Sequence, residues 1–569
     1  MLPDEPRLSR ERYESAGVGG RGLDAADKLG TAGVIEHLGA AGLRGRGGAG
    51  FPTARKWEAV LSHEGPIAPA TVVVNAAEGE PGSFKDRAIL RANPHAVVEG
   101  ALIAARTLGA DRIVFALKAS FVRELAVLED ALDVWRETAE ARGIELLTFG
   151  GPQEYLYGEE TGLLEALEGR PPFPRVAPPY RHGLDEVGPS GSPEPAREVM
   201  ADGTGAPPTL VSNVETFANV PGILAFGPEW FRQVGTDASP GTVVCTVSGA
   251  TDHAGVAEVA MGTPLADVLD RIGGGARPGR RLVAAMSGVA NPLVPASRFD
   301  VPVSHEGMDS IGSGLGAAGF IAFDDDTDLA AVAAGVSRFL AVESCGQCTP
   351  CKQDGVALSE LLDHVRRSDA SERDLDRIAD RIATVADSAR CSLASQQQRV
   401  ITSITEQFPD VAAHAHRERL GAPVYVIAPI VDLADGVAQL DEREAAKQPD
   451  WTFDAVDSGA SPAERLASSS PAAVRVAADA VEEPTSPEPA ATPPAPVPHH
   501  VSPPTIHNRV DPSEVADDPE ARLYSSAPIE TDEGTVVIEQ QNVGPGNEDG
   551  GGEWPDPHTD PEDPASGAR

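Results

Sequence analysis

Up to Ile430 the apolar positions recur with the periods of regular structure. Between Ala25 and Leu43 they fall three and four residues apart, which predicts a helix that runs into the glycine-rich loop GLRGRGGAGFPT. Short β-branched runs then alternate with longer helical stretches. TVVVN (71–75) is followed by HAVVEGALIAARTLG, RIVFALK (112–118) by FVRELAVLEDALDVWRETAEA, and IELLTF (144–149) closes the series. Strands that alternate with helices predict a mostly parallel sheet covered on both faces, an α/β Rossmann-like fold over residues 1–240. A second block, 241–327, places short strands (TVVCTVSG, RLVAAMSG, GFIAF) around one helix, PLADVLDRI, and reads as a small α+β module. A third, 328–410, is helical, and Leu375, Ile378, Ile382 and Val385 make a stripe that faces a core.

The pattern then stops. Residues 431–569 hold 20 of the 50 prolines and 29 acidic against 7 basic side chains, so they carry −22 of the net −41. Low hydrophobicity with excess charge predicts a disordered Pro-rich, acidic tail. Two apolar strips stand out, Val424–Ile430 and Thr535–Ile538. They are either residual stickiness or strands that dock onto a partner's sheet edge; for the second strip the plainer reading is preferred.

Charge and length narrow the class. With 46 basic and 87 acidic residues in 569, the chain is a poor non-specific binder of nucleic acid or anionic membrane. No apolar run reaches the roughly 18 residues of a spanning helix, and the start MLPDEPRLSRERYES carries charges of both signs without an apolar core. The expectation is a cytoplasmic protein without direct membrane insertion. Five cysteines in so long a chain do not make a disulfide framework.

Four of those cysteines fall in the helical block. Cys345, Cys348 and Cys351 are spaced C-x2-C-x2-C, and Cys391 follows one helix later. That spacing lets successive thiolates converge on one centre, with the fourth ligand from elsewhere in the fold, as in a [4Fe–4S] cluster. Zinc sites more often pair two C-x2-C knuckles or add histidines, and no second knuckle exists here. Gly346 and Gly355 are expected to form turns that aim N–H groups at the sulfurs. Cys245, inside a strand pattern, is expected to be a small buried hydrophobe.

Gly45-Arg46-Gly47-Gly48-Ala49-Gly50 matches G-x-G-x-x-G, but a helix precedes it where the dinucleotide fingerprint needs a strand. Its glycines with Arg44, Arg46 and Lys56 suit a phosphate; an ordinary connection is the plainer alternative. Phe51 could stack on a flat ring, although core packing is the better expectation from composition. Strand 71–75 runs into NAAEGEPGSFKD and places Asn75, Glu78 and Glu80 at the carboxyl end of a parallel strand, where open sheets bind ligands. In YLYGEETGLL, Gly158, Glu159, Glu160 and Thr161 stand at a helix start and could simply cap it. Asn213 in SNVET offers an amide.

Together, GLRGRGGAGFPTARKW, NAAEGEPGSFKDR, YLYGEETGLL, PTLVSNVET, ESCGQCTPC and the later Cys391, in that order over about residues 20–408, resemble the flavin-bearing, NADH-oxidising subunit of bacterial respiratory complex I. Relatives of that subunit serve NAD-linked formate dehydrogenases and hydrogenases. The stretch from Gly241 to Leu269 resembles the family's ubiquitin-like β-grasp (SLBB) module. The resemblance implies that Gly45, Arg46, Gly47, Gly48, Gly50 and Lys56 hold FMN and that Asn75, Gly158, Asn213 and Thr216 line it. It places Phe51, Glu78, Glu80, Glu159 and Glu160 against the flavin or NADH, with Glu80 and Glu160 at the reacting centre. Cys345, Cys348, Cys351 and Cys391 would ligate a [4Fe–4S] cluster. The sequence departs from the family at Ala59, Ala77, Tyr157, Ala177, Tyr180 and Ser212, mostly on the dinucleotide side.

The implied chemistry is hydride transfer from NADH to FMN, then single electrons through the cluster to a partner. Five cysteines less four leave only Cys245, so a [2Fe–2S] or ferredoxin-like protein, alone or in a larger oxidoreductase complex, must take the electrons. Through such partners the chain would sit beside a membrane complex. Two other classes compete: a divergent electron-transfer or assembly module that keeps the cluster but binds no NADH, and an interaction scaffold built around the acidic tail.

Overall fold

The computed structural model describes residues 1–63, 69–184, 207–408 and 424–449. The strip Thr535–Ile538 and the tail beyond residue 449 lie outside them. The first unit contains α1 (Arg10–Ser15), α2 (Arg21–Ala41), α3 (Thr53–Ser62), β1 (Thr71–Ala76), α4 (Lys85–Ala92), α5 (Pro94–Thr107), β2 (Arg112–Lys118), α6 (Val122–Glu140), β3 (Glu145–Gly151), α7 (Glu160–Leu167), β4 (Thr209–Asn213), α8 (Val214–Phe226) and α9 (Pro228–Phe231). Its four strands are parallel, in the order β3-β2-β1-β4.

Successive residues of these strands serve opposite faces. Val72, Val74, Ile113 and Phe115 join the core under α2, α5 and α8. Val73, Val114, Ala116 and Leu147 join a second core with Tyr157, Leu163 and Leu164 of the segment around α7. Burial on both faces is why these strands read as continuous apolar runs.

From β1 the chain builds outward through β2 to β3, whereas β4 returns on the other side of β1. The strand order therefore reverses between β1 and β4, the point at which open α/β sheets form their ligand-binding crevice, outside the carboxyl ends of the strands. Asn75 and Asn213 are register partners at that end.

The second unit is β5 (Thr242–Gly249), β6 (Gly255–Ala260), α10 (Leu265–Gly273), β7 (Leu282–Ser287), β8 (Val294–Pro295), α11 (His305–Asp309) and β9 (Gly319–Asp324). Its sheet runs β6-β5-β9-β7-β8, with β5 and β9 parallel and the other pairs antiparallel. The third unit is α12 (Leu329–Val342), α13 (Thr349–Arg367), α14 (Glu372–Thr384) and α15 (Leu393–Gln407). The predicted stripe faces inward: Ile378 and Val385 are buried, with Leu375 and Ile382 packed beside them. One hydrophobic core runs from the first unit into the second, and another from the second into the third. Cys245 is fully buried in β5, as expected.

Ordered structure continues past Val431. The hairpin β10 (Ile430–Ala434) and β11 (Val437–Leu440) turns through Asp435-Gly436, both at positive φ. A two-residue Asp-Gly loop is a strong hairpin signal, which the average composition of the tail conceals. It is tied to the rest of the chain by ion pairs: Arg91 pairs with Asp432 at 2.7 Å, and Lys447, just after the hairpin, pairs with Glu343. The strip before it is used within the chain. Tyr425 meets Phe323 edge-on, and Ile427 and Ile430 are buried, so this strip is not a free docking strand.

Candidate functional site

The glycine loop closes over the switch point. The Gly45 N–H donates to Phe51 O at 2.8 Å, and Arg44 Nε to Gly50 O at 2.8 Å, which ties the loop at its base. The Arg46 N–H donates to Thr216 Oγ1 at 2.9 Å, and a Cβ on Gly47 would lie 3.4 Å from Asn213 Cβ. The loop is thus seated on the start of α8, beside β4. Gly48 has φ +129 with open space where a Cβ would project, a backbone that a side chain would strain. Across the crevice, Asn75 Nδ2 donates to Gly158 O at 2.8 Å. The predicted residues Gly45–Gly50, Asn75, Gly158, Asn213 and Thr216 are therefore brought together at this end of the sheet.

Arg46 differs from the expectation of a displayed cation. It is 1% exposed, and its charge acts on buried Glu215, so its side chain is turned inward. Lys56 stays at the rim and pairs with Glu160. Burial lowers its ammonium to about 8, against the pull of Glu159. Phe51 is half-buried and belongs to none of the buried clusters of the described residues, contrary to the core-packing expectation.

The four glutamates divide. Glu159 caps α7, accepting from the Thr161 and Gly162 N–H groups at 3.0 and 2.8 Å, as the plainer reading held. Glu78 accepts from Ser83 Oγ at 2.6 Å and from the Asp86 and Arg87 N–H groups at the start of α4, a second cap. Glu80 leaves the loop in another direction. Its carboxylate accepts from Tyr155 Oη at 2.5 Å and from the Val289 N–H at 2.6 Å, and burial raises it to about 7 despite both bonds.

The altered family positions fall in several settings, with Ala59 half-buried on α3 and the Ala77 N–H donating to Asn75 Oδ1 at 3.2 Å. Tyr157 is fully buried and donates to Leu117 O at 3.1 Å. It has room because position 151 is glycine, where a Cβ would lie 2.2 Å from its ring. Ala77 packs in the same core, and Ser212 lies within β4. Ala177 is exposed, and Tyr180 tilts against His63.

The four thiols line one small cavity with Leu156, Pro174, Ser344 and Arg390. None is in a disulfide. Four cysteine sulfurs around one cavity suit a polynuclear centre. N–H groups do reach them: Arg390 N donates to Cys348 Sγ at 3.4 Å, Gln347 Nε2 to Cys345 Sγ at 3.4 Å, and the Leu393 N–H to Cys391. Gly346 makes the predicted turn, at φ +73, but its own N–H goes to Ser344 Oγ. Gly355 makes no turn; it lies inside α13, where a Cβ would approach Gln397 Oε1 at 3.1 Å.

Sequence reasoning missed the residue that joins crevice to cavity. Tyr155 holds Glu80 by its hydroxyl and Glu343 by its N–H, at 2.9 Å. Leu156 then lines the cysteine cavity, and Gly158 accepts from Asn75 at the crevice. Residues 155–158 form one 3-10 turn, so Leu156 and Gly158 stand roughly 4 Å apart along its axis. Lys85, Asp86 and Glu215 were also missed, since buried charges leave no trace in an apolar pattern.

Two family models match the chain. Residues 38–222 match the Nuo51 FMN-binding domain, and 331–415 the NADH-ubiquinone oxidoreductase-F iron-sulfur binding region. The chain is 33% identical to the second F-type subunit of NADH-quinone oxidoreductase in Rhizobium meliloti, over 74% of this chain and 96% of that one. It is 35% identical to the F-type subunit of the same enzyme in Streptomyces coelicolor, over 68% and 84%. It is also 33% identical to the NADP-reducing hydrogenase subunit HndC of Solidesulfovibrio fructosivorans, over 71% and 81%. Among solved structures, an NAD+-reducing [NiFe]-hydrogenase in the H2-reduced state matches with a TM-score of 0.60 and 31% identity, over 69% of this chain. The match spans 64% of that hydrogenase chain, just under two thirds.

Proposed function

The chain belongs to the family of NADH-quinone oxidoreductase F-type subunits, and from that premise we propose that the switch-point crevice holds FMN and admits NADH while the four cysteines hold one [4Fe–4S] cluster. The activity is NADH oxidation through FMN and an iron–sulfur cluster to a partner. FMN, when bound, supplies the ability to accept a hydride and release its electrons singly.

The chain's own residues position and insulate. The glycine loop offers backbone to the flavin, with Lys56 and its partner Glu160 at the rim. Gly47, Asn75, Gly158, Asn213 and Thr216 would line it, and Arg46 would shape the loop from inside. Glu78 and Glu159 would hold the loops they cap, leaving Glu80 and Phe51 to meet flavin or nucleotide. Cys345, Cys348, Cys351 and Cys391 would bind the cluster as thiolates. The turn Tyr155–Gly158 carries this reading, because it brings the crevice and the cysteine cavity within a few residues of each other. Such closeness is what electron hopping between the two needs.

The finer organisation is proposed on the same basis. Residues 1–240 form the FMN/NAD(H) domain and 328–410 the helical cluster domain. Between them, 241–327 form a ubiquitin-like β-grasp (SLBB) module, which the order β6-β5-β9-β7-β8 with a helix after the first hairpin supports. The acceptor is a [2Fe–2S] or ferredoxin-like protein, since buried Cys245 leaves no second cluster here. No helix of the described residues is long and apolar enough to cross a membrane. We place the chain in the cytoplasm, peripheral to a membrane complex through its partners.

Anaerobic purification with flavin, iron and sulfide assays tests this. One FMN and one four-iron cluster per chain are expected; a colourless protein refutes the reading.

A further inference from the structure

The segment Ser83–Arg87 closes one of the sequence motifs, yet the chemistry above gives it no role, although every one of its residues makes a side-chain or side-chain-to-backbone hydrogen bond. Lys85 is 1% exposed. Its Nζ donates to Asp86 Oδ1 at 2.6 Å and to Asn213 Oδ1 at 3.0 Å, and lies 3.0 Å from Glu215 Oε2. Asn213 answers with Nδ2 to Asp86 Oδ2 at 2.7 Å, and its Oδ1 also accepts from the Glu215 N–H at 3.0 Å. An amide has two acceptor lone pairs and two donors. Both lone pairs of Asn213 and one donor are therefore committed, which leaves a single N–H and one allowed orientation.

The same network reaches the neighbouring sheet. The Phe84 N–H donates to Thr246 Oγ1 at 3.0 Å, and Glu215 Oε1 accepts from the Val244 N–H at 3.0 Å, both on β5. The β4 side of the crevice is thus fixed to the second unit through Phe84 and Glu215.

We propose that Lys85 is a positioning residue for flavin binding: its ammonium locks the Asn213 amide beneath the glycine loop, so that the β4 side of the crevice is formed before the cofactor arrives. This rests on the FMN reading above. A preorganised floor binds tightly because no ordering remains to be done on association. Burial alone would lower the Lys85 ammonium, but Asp86, Glu215 and Glu78 outweigh it and keep it charged.

The test separates positioning from simple stabilisation. Apoprotein is titrated with FMN by flavin fluorescence, for wild type, K85M and V268A, with thermal melting and cluster content as fold controls. V268A removes buried volume from α10 in the second unit and leaves every bond around Lys85 and Asn213 intact. The expected result is FMN binding at least tenfold weaker in K85M and within twofold of wild type in V268A, with a lowered melting temperature in both. Affinity losses that track melting temperature in both variants, or unchanged affinity in K85M, overturn the proposal. Should K85M not fold, the charge-balanced K85M/D86N carries the same expectation, and wild-type affinity there overturns it equally. A wild-type apoprotein that binds no FMN refutes instead the reading on which this rests.

Discussion

The Tyr155 hydroxyl donates to the Glu80 carboxylate at 2.5 Å, and Tyr155 opens the turn whose Leu156 lines the cysteine cavity. Glu80 is a carboxyl held near neutrality by burial, at about 7. It therefore takes up or releases a proton within the working range of an NADH-oxidising enzyme.

The first prediction concerns pH. Native Glu80 holds its proton up to about 7, whereas the unfolded side chain releases it near 4.5. The folded state binds more protons in that window, so this contribution is full below about 4.5 and is lost as pH rises through about 7. The melting temperature of E80Q should fall less than that of wild type between those values. Its kcat/KM for NADH should also lose an inflection near neutrality that wild type shows. Parallel profiles in both measurements would remove Glu80 from the site.

Gly151 and Tyr157 form a matched pair, and a Cβ at 151 would lie 2.2 Å from the tyrosine ring. G151A should destabilise the protein by about 1–3 kcal/mol through overpacking. Y157C, which restores the family's residue, should relieve most of that cost in the double variant G151A/Y157C. Denaturant unfolding of the four species measures the coupling, and additive losses contradict it.

Much of this was legible in the chain. Apolar runs such as Val72–Val74 and Ile113–Leu117 announced parallel strands because burial on both faces leaves no alternation to blur. The cysteine spacing announced the cavity because ligands must be deployed locally. What stayed hidden depends on contacts distant in sequence. Tyr157 looked like a change in the dinucleotide pocket, yet it points into a core with Gly151 making room. Lys85 and Glu215 come from distant parts of the chain to meet beneath the glycine loop, a pairing no local pattern announces. The hairpin at Asp435-Gly436 was lost in the average composition of an acidic tail.

That hairpin yields a third prediction. Ending the chain after residue 423 exposes the surfaces that Ile427 and Ile430 cover, and leaves Arg91 and Glu343 without Asp432 and Lys447. Two buried isoleucines at about 1.5–3 kcal/mol each give a loss of about 3–6 kcal/mol. Ending it after residue 449 should leave the melting temperature within about a degree of full length. Equal stability of the two truncations would show that the hairpin contributes nothing.

The cysteine cavity and the glycine loop are separate constructions, so they should fail separately. C348S should lose the iron–sulfur absorbance and most bound iron while retaining FMN at near wild-type affinity. Joint loss of both cofactors, measured in one anaerobic preparation, would show that the two sites do not form independently.

The most direct measurement is a stepwise anaerobic titration of the full-length protein with NADH, following flavin absorbance and low-temperature EPR in the same sample. Bleaching of the flavin band together with the signal of a reduced [4Fe–4S] cluster is the predicted result. A flavin that bleaches while the cluster stays oxidised under every condition, or a sample indifferent to NADH, would contradict it.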